Sequence, residues 1–330
     1  YYNAPMFRDG KKVEEEGYIT DIITDEAISF IDREKNKKQP FYLSVHYTAP
    51  HSPWIDCHPK KYTDLYEDCP FETCPQGETH PWAKTEVLAG YQRPRESLIG
   101  YFAAVTAMDD NVGRILKKLE EENLMEDTLI IFSSDNGFNC GHHGIWGKGN
   151  GTFPLNMYDS SVKVPLIMCH KGHIPENQVC DEMHSGYDFM PTLLEYLGFE
   201  NDEADELPGK SFLPALMGQE HKNEDGRVVV FDEYGPVRMI RSRKYKLVHR
   251  YPYGPDEFYD LEADPGETHN GIEDEQYQDM IQDMKKQMEL WFLQYVDPRI
   301  DGAKEPVMGG GQRDLAGLLG PGINVYGENI

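Results

Sequence analysis

The stretch Thr128–Gly151, TLIIFSSDNGFNCGHHGIWGKGNG, constrains this chain more than any other. Leu129 to Phe132 is a short apolar run between an acidic loop and a Ser-Asp-Asn-Gly turn, the pattern of a central strand in a parallel sheet. The turn then falls at the carboxyl end of that strand, where open α/β sheets place their ligands. Asp135 and Asn136 are adjacent hard oxygen donors, and Gly137 frees the backbone to curl. His142, His143 and Lys148 follow on a glycine-punctuated loop that can fold back over the same point. Such oxygen donors suit Ca²⁺, or secondarily Mg²⁺, rather than zinc. An Asp-Asn-Gly turn is common on its own, so the argument rests on what surrounds it.

Two other segments bear on the same chemistry. Phe41 to Tyr47 reads as a strand and runs into Thr48-Ala49-Pro50-His51-Ser52-Pro53, where a histidine held between prolines has little backbone freedom. Further on, Met157 to Ile167 reads Y-D-S-S-V-K-V-P-L-I after its methionine. The order of parts (apolar strand, D-N-G, G-x-H-G, a lysine in W-G-K, then Y-x-x-S-x-x-V-P-L-I) resembles the formylglycine-dependent sulfatases of the alkaline-phosphatase superfamily. That resemblance implies an α/β fold: a mostly parallel sheet flanked by helices, then a small α+β subdomain with an antiparallel sheet and a C-terminal helix. It also implies roles. Asp135 and Asn136 are metal ligands, Lys148 and His51 face the sulfate group, and His143 contributes to the pocket rim. His142 stands where many members carry an acid.

The resemblance also exposes what these 330 residues do not carry. The family's paired metal-binding aspartates and its C-x-P-S-R or S-x-P-S-R nucleophile motif are not found. Cys69-Pro70 and Cys74-Pro75 have the proline in the wrong place. The expectation is therefore the C-terminal portion of a sulfatase. By itself it would be inactive and weak in Ca²⁺ binding, and its uncovered sheet edge would lead it to self-associate or pair with the missing segment. The implied activity is hydrolysis of a small-molecule or carbohydrate sulfate ester. A phosphodiesterase or phosphonate-ester hydrolase of the same superfamily is the nearest alternative, and a non-catalytic remnant or binding protein is the alternative of another class.

Composition sets outer bounds. The formal charge of −26 argues against nucleic acid or an anionic membrane as partner, so an anionic substrate must be held by local positive groups. No apolar run reaches the length of a membrane helix. Six cysteines in 330 residues do not make a disulfide scaffold and favour a reducing, cytoplasmic compartment, although Cys57, Cys69 and Cys74 share one loop and could be bridged. Periodicity marks a helix over 95–123 and another over 273–296. Four short strands between 227 and 261 read as an antiparallel meander. The domain boundaries expected are 1–205, 206–298, and a Gly-rich arm over 299–330.

Overall fold

The computed structural model describes residues 1–202, 204–219, 226–232, 235–298 and 301–303, so most of the expected C-terminal arm lies outside the described residues. The chain divides into two compact units. One comprises Tyr1–Pro154 with Lys163–His173, and the other Leu155–Val162 with the chain from Ile174 onward.

The first unit opens with a hairpin, β1 (Pro5–Arg8) and β2 (Lys11–Glu14). Asp9 and Gly10 both have positive φ (49° and 75°), the turn geometry that an Asp-Gly pair favours between strands. Helix α1 (Ile19–Glu34) follows, and after the single turn α2 (Lys60–Thr63) comes the long α3 (Pro94–Glu121). Tyr101, Val105, Met108, Val112, Ile115 and Leu119 recur at helical spacing along α3. Of these only Leu119 is fully buried; the inner face is made of Gly100, Ala103, Ala104, Ala107 and Asn111. Small side chains let backbones approach closely, and Gly100 shows it: a Cβ there would lie 2.2 Å from the Trp54 carbonyl oxygen.

Strand β3 (Ile130–Ser133) pairs with β6 (Leu166–Cys169), and between them β4 (Asn139–Cys140) and β5 (Trp146–Gly147) form a second small ladder. Both ladders are antiparallel, as are all others among the described residues. The parallel sheet expected from the apolar run at β3 is therefore not seen there. An apolar run reports burial and not direction, and the return strand Leu166–Cys169 arrives without a crossover helix. Phe41–Tyr47 makes no ladder. Its exposure still alternates residue by residue, with Phe41, Leu43, Val45 and Tyr47 turned inward, which is the period of a strand without its hydrogen-bonded neighbour. Cys169, which ends β6, is exposed.

His58 is buried in this unit, with Nδ1 2.9 Å from the Tyr18 hydroxyl and its ring 4.4 Å from that of Tyr1. Burial pushes its pKa down from 6.5 to about 4. A base whose pKa is depressed by folding takes up protons more readily when unfolded, so its contribution to stability is lost as pH falls from 6.5 towards 4. Urea midpoints measured across that range should fall with pH, and His58→Gln should flatten the slope; an unchanged slope would show that His58 is not the titrating group.

The second unit is built on a four-stranded meander, β7 (Arg227–Phe231), β8 (Val237–Ser242), β9 (Tyr245–Arg250) and β10 (Glu257–Asp260), in the order β10-β9-β8-β7. The segment Leu155–Val162 ends in the single turn α4 (Asp159–Val162). The helical pieces α5 (Phe189–Tyr196) and α6 (Leu213–Leu216) precede the meander, and α7 (Gln278–Tyr295) follows it. Strand alternation gives the sheet two buried faces. Val229, Ile240, Leu247 and Phe258 pack against Ile281, Met284, Met288 and Phe292 of α7. Val237, Met239 and Val248 pack against Leu155 and Met157. The methionine stripe of α7 is thus core, as read from the sequence, and each fully buried methionine contributes on the order of 1.5–3 kcal/mol.

Two cations on the second face were not foreseen. Lys246 has no exposed surface; its ammonium donates to the Met157 carbonyl oxygen (3.1 Å) and is paired with Glu267 and Asp159. Arg250 donates twice to the Leu155 carbonyl oxygen (3.0 and 2.8 Å) and pairs with Glu257 at 2.7 Å. Lys246→Met would strand Glu267 in the core without its cation, at a cost of about 3–5 kcal/mol. Adding Glu267→Leu should recover much of that loss. Chemical unfolding of both variants is the check, and equal stability of Lys246→Met and the parent would show that the pair does not hold this unit together.

Candidate active site

The site is framed by the exit of β3 and by the β4–β5 hairpin. The Ser133 hydroxyl donates to the Pro165 carbonyl oxygen (2.9 Å), so the end of β3 is tied to the start of β6. In the turn that follows, Asp135 Oδ1 accepts from the Asn136 backbone N–H at 2.9 Å, and Asn136 Nδ2 donates to the Gly137 carbonyl oxygen at 2.9 Å. With its amide nitrogen engaged, Asn136 presents Oδ1, and that oxygen accepts from Lys148 Nζ at 2.9 Å. Three of the residues singled out from the sequence therefore meet: the lysine reaches back across twelve positions to the D-N-G turn.

The hairpin that carries Lys148 is held from below. Asn139 is fully buried and donates to the Gly147 carbonyl oxygen (2.9 Å), while Gly141 N–H donates to the Ile145 carbonyl oxygen (2.9 Å). Trp146 is buried against Trp54, Phe71, Leu98 and Cys140. Its backbone N–H donates to the Tyr91 hydroxyl at 2.9 Å, and its indole donates to Gln76 Oε1 at 3.3 Å. Gln76 also donates to the Cys140 carbonyl oxygen (2.8 Å), so the irregular 56–94 segment grips the base of the hairpin. Trp54 and Tyr62 are core residues. Asn139 and Gln76 were missed by sequence reasoning, since a hydrogen-bonding amide in a loop carries no periodic signal.

The remaining candidates are placed differently. His51 is exposed, and its hydrogen bonds stay local: Nδ1 donates to the Ser52 carbonyl oxygen (2.9 Å), and its own carbonyl oxygen accepts from the Tyr1 hydroxyl (2.6 Å). His143 sits at the hairpin tip with φ +54°, and His142 Nε2 donates to the Thr73 carbonyl oxygen at 2.8 Å. No disulfide joins Cys57, Cys69 and Cys74; all six cysteines are thiols. Cys74 and Cys140 share a hydrogen bond that lowers the Cys74 pKa to about 7 and, with burial, pushes the Cys140 thiol up. Cys57-His58-Pro59 has the proline two residues after a cysteine but reaches Lys61 where the sulfatase motif has arginine.

Asp135 and Asn136 supply one carboxylate and one amide carbonyl, hard oxygen donors that fit Ca²⁺ or Mg²⁺ as two of the six to eight ligands calcium collects. The site's main requirement is the hairpin geometry. Gly144 has φ +69°, and a Cβ there would lie 1.9 Å from the Glu78 carbonyl oxygen. Gly144→Ala should lower stability by about 1–3 kcal/mol and displace the hairpin tip. Urea unfolding and the Trp146 fluorescence maximum would report it, and parent-like values of both would show that the tip tolerates a side chain.

A strand exit bearing D-N-G, with a lysine returned to it by a glycine-rich hairpin, brings an ammonium beside a carboxylate and an amide oxygen. The sulfatase family model matches residues 1–199, and a model described as N-sulphoglucosamine sulphohydrolase, C-terminal, matches 141–292. The chain belongs to the sulfatase family. It is 26% identical to the N-acetylglucosamine-6-O-sulfatase of Bacteroides thetaiotaomicron over 96% of its length. It is also 31% identical to the choline-sulfatase of Rhizobium meliloti over 72%, and 28% identical to an arylsulfatase of Clostridium perfringens over 83%. It spans 68%, 48% and 57% of those relatives' own lengths. A solved protein in complex with its substrate D-glucosamine-2-N,6-O-disulfate matches 92% of the chain with a TM-score of 0.77 at 24% identity, covering 75% of that protein. The fold is thus that of the alkaline-phosphatase-like sulfatases, a family that uses a divalent metal.

Proposed function

We propose that this chain serves the hydrolysis of a sulfate ester to an alcohol and inorganic sulfate, and that its metal is Ca²⁺. The observation that carries the reading is the 2.9 Å bond from Lys148 Nζ to Asn136 Oδ1, which sets an ammonium beside the oxygen donors of the D-N-G turn. A sulfate ester develops negative charge on its peripheral and leaving oxygens as it is cleaved, and prepositioned positive groups there lower the barrier. A divalent ion held by Asp135 and Asn136 would supply a fixed positive centre for those oxygens. Lys148 places its ammonium on the sulfate, His51 donates a hydrogen bond or proton to the departing oxygen, and His143 lines the rim. By its family resemblance the nucleophile is a formylglycine, which is not among the residues assigned here. The relative matched over nearly the whole chain is named for an N-acetylglucosamine 6-sulfate, which favours an amino-sugar sulfate as substrate.

Lys148→Ala tests this in two readouts. In a preparation that turns over sulfate esters, kcat/KM for an aryl sulfate and for N-acetylglucosamine 6-sulfate should fall about 10²–10³-fold, as when a charge-stabilising donor is removed, with an unchanged unfolding midpoint. In the 330-residue chain, calorimetry with Ca²⁺ present should show weaker sulfate binding. Near-normal turnover would remove Lys148 from the reaction, loss of folding would make it a structural residue, and faster cleavage of a phosphonate monoester than of any sulfate ester would favour the alternative chemistry.

A further inference from the structure

The sequence Cys180-Asp181-Glu182-Met183-His184 lies outside everything assigned above, and the chain bends at Glu182, which lets the side chains at i, i+2 and i+4 converge. The ligand atoms of Cys180, Glu182 and His184 lie within 4.8 Å of one another, the one such group of three among the described residues. We propose that Cys180, Glu182 and His184 form a zinc site, with the thiolate, a carboxylate oxygen and an imidazole nitrogen as ligands and an open fourth position.

The geometry supports a tetrahedral ion. With bonds of about 2.3 Å to sulfur and about 2.0 Å to nitrogen, tetrahedral zinc sets those two atoms about 3.6 Å apart. Cys180 Sγ and His184 Nε2 are 3.8 Å apart. An independent observation concerns Glu182. Its Oε2 is shut off from solvent and accepts no hydrogen bond, and a carboxylate oxygen in that condition is destabilising unless a cation or donor meets it. A metal ion bonded to Sγ and Nε2 supplies that partner.

The surroundings fix the segment that carries the ligands. Met183, between two ligands, turns its sulfur to Arg241 Nη1 at 2.8 Å, and Arg241 is in turn paired with Asp159 at 2.8 Å. Arg243 donates to the Asp181 carbonyl oxygen at 2.9 Å, which anchors the backbone between Cys180 and Glu182. The His184 ring packs on Phe212 with centroids 4.6 Å apart, so its plane is set. Cys180 itself is exposed, which gives the ion an entry path. Sulfur, nitrogen and a single carboxylate oxygen select a borderline cation such as Zn²⁺ over Ca²⁺ or Mg²⁺, the opposite preference to the all-oxygen pair at Asp135 and Asn136.

The test uses the whole chain, with Ca²⁺ in excess to saturate oxygen sites, and Co²⁺ as the spectroscopic stand-in for Zn²⁺. One equivalent of Co²⁺ should bind with a thiolate-to-cobalt charge-transfer band and tetrahedral visible absorption, and Zn²⁺ should displace it. Cys180→Ser should abolish the band, while His184→Ala and Glu182→Gln should each weaken Zn²⁺ affinity by about tenfold or more, the least that even outer-sphere partners contribute. Zn²⁺ should raise the unfolding midpoint of the parent and not of Cys180→Ser, a comparison that also reports whether the variant folds. An unaltered band in Cys180→Ser would place cobalt at another cysteine and overturn the proposal. Parent-like affinity in both His184→Ala and Glu182→Gln would show binding by a lone thiol and overturn it equally.

Discussion

An ammonium group sealed from water is tolerated only where anions and carbonyl oxygens replace its hydration, and the second unit is arranged around that requirement at Lys246. The lysine sits on β9 between residues whose side chains fill the opposite face, and its charge is met by Glu267, Asp159 and the Met157 carbonyl oxygen. These partners come from two stretches far apart in sequence, one holding Met157 and Asp159 and the other Glu267. Arg250, two strand positions beyond Val248 on the same face, repeats the device with Leu155 and Glu257. The segment Leu155–Val162 is therefore held to the meander by charge as well as by Leu155 and Met157 packing on Met239 and Val248. Hydrophobic burial alone would let such a segment slide; cations bonded to the Leu155 and Met157 carbonyl oxygens fix its register.

In the first unit the equivalent constraint is backbone geometry. Gly141, Gly144 and Gly147 all have positive φ, and the loop Thr73–His80 lies so close to Gly141 and Gly144 that side chains there would overlap it. Close approach brings Gln76 onto the Cys140 carbonyl oxygen and His142 onto Thr73, so the hairpin is clamped by hydrogen bonds to its neighbours instead of by ladder length. A two-residue ladder could not by itself hold Lys148 in place. The buried amide of Asn139 and the Trp146 indole supply the rest of the rigidity.

Much of this was legible in the sequence. The Asp9-Gly10 hairpin, the four-stranded meander and the buried Met284 and Met288 follow from turn chemistry and periodicity, and the meeting of Lys148 with Asn136 follows from a glycine-rich return. What was illegible depends on partners. Phe41–Tyr47 has the pattern of a strand, but strandness is a property of a pair, and β3 was given the wrong direction because hydrophobicity carries no sense of it. The inner face of α3 was misplaced because alanine is weakly hydrophobic, while close packing at Ala103, Ala104 and Ala107 depends on size. Lys246 carries no mark of burial in R-S-R-K-Y-K-L, since nothing local reveals that Glu267 will be carried to it.

The two lysines show how the same side chain is given different work by its partners. Lys246 meets two carboxylates in the interior, where opposite charges bind strongly and cancel each other's field, so it stabilises a fold and projects little charge outward. The bond that Lys148 makes to Asn136 is to an amide dipole, which orients an ammonium without removing its charge. In a chain of net charge −26 an approaching sulfate meets an unfavourable overall field. Attraction must come from positive groups at close range, held in place before the anion arrives, because orienting a flexible lysine only on binding would forfeit part of the interaction as lost side-chain entropy. On the function proposed above, the Lys148–Asn136 bond at the end of β3 is one contact of that kind.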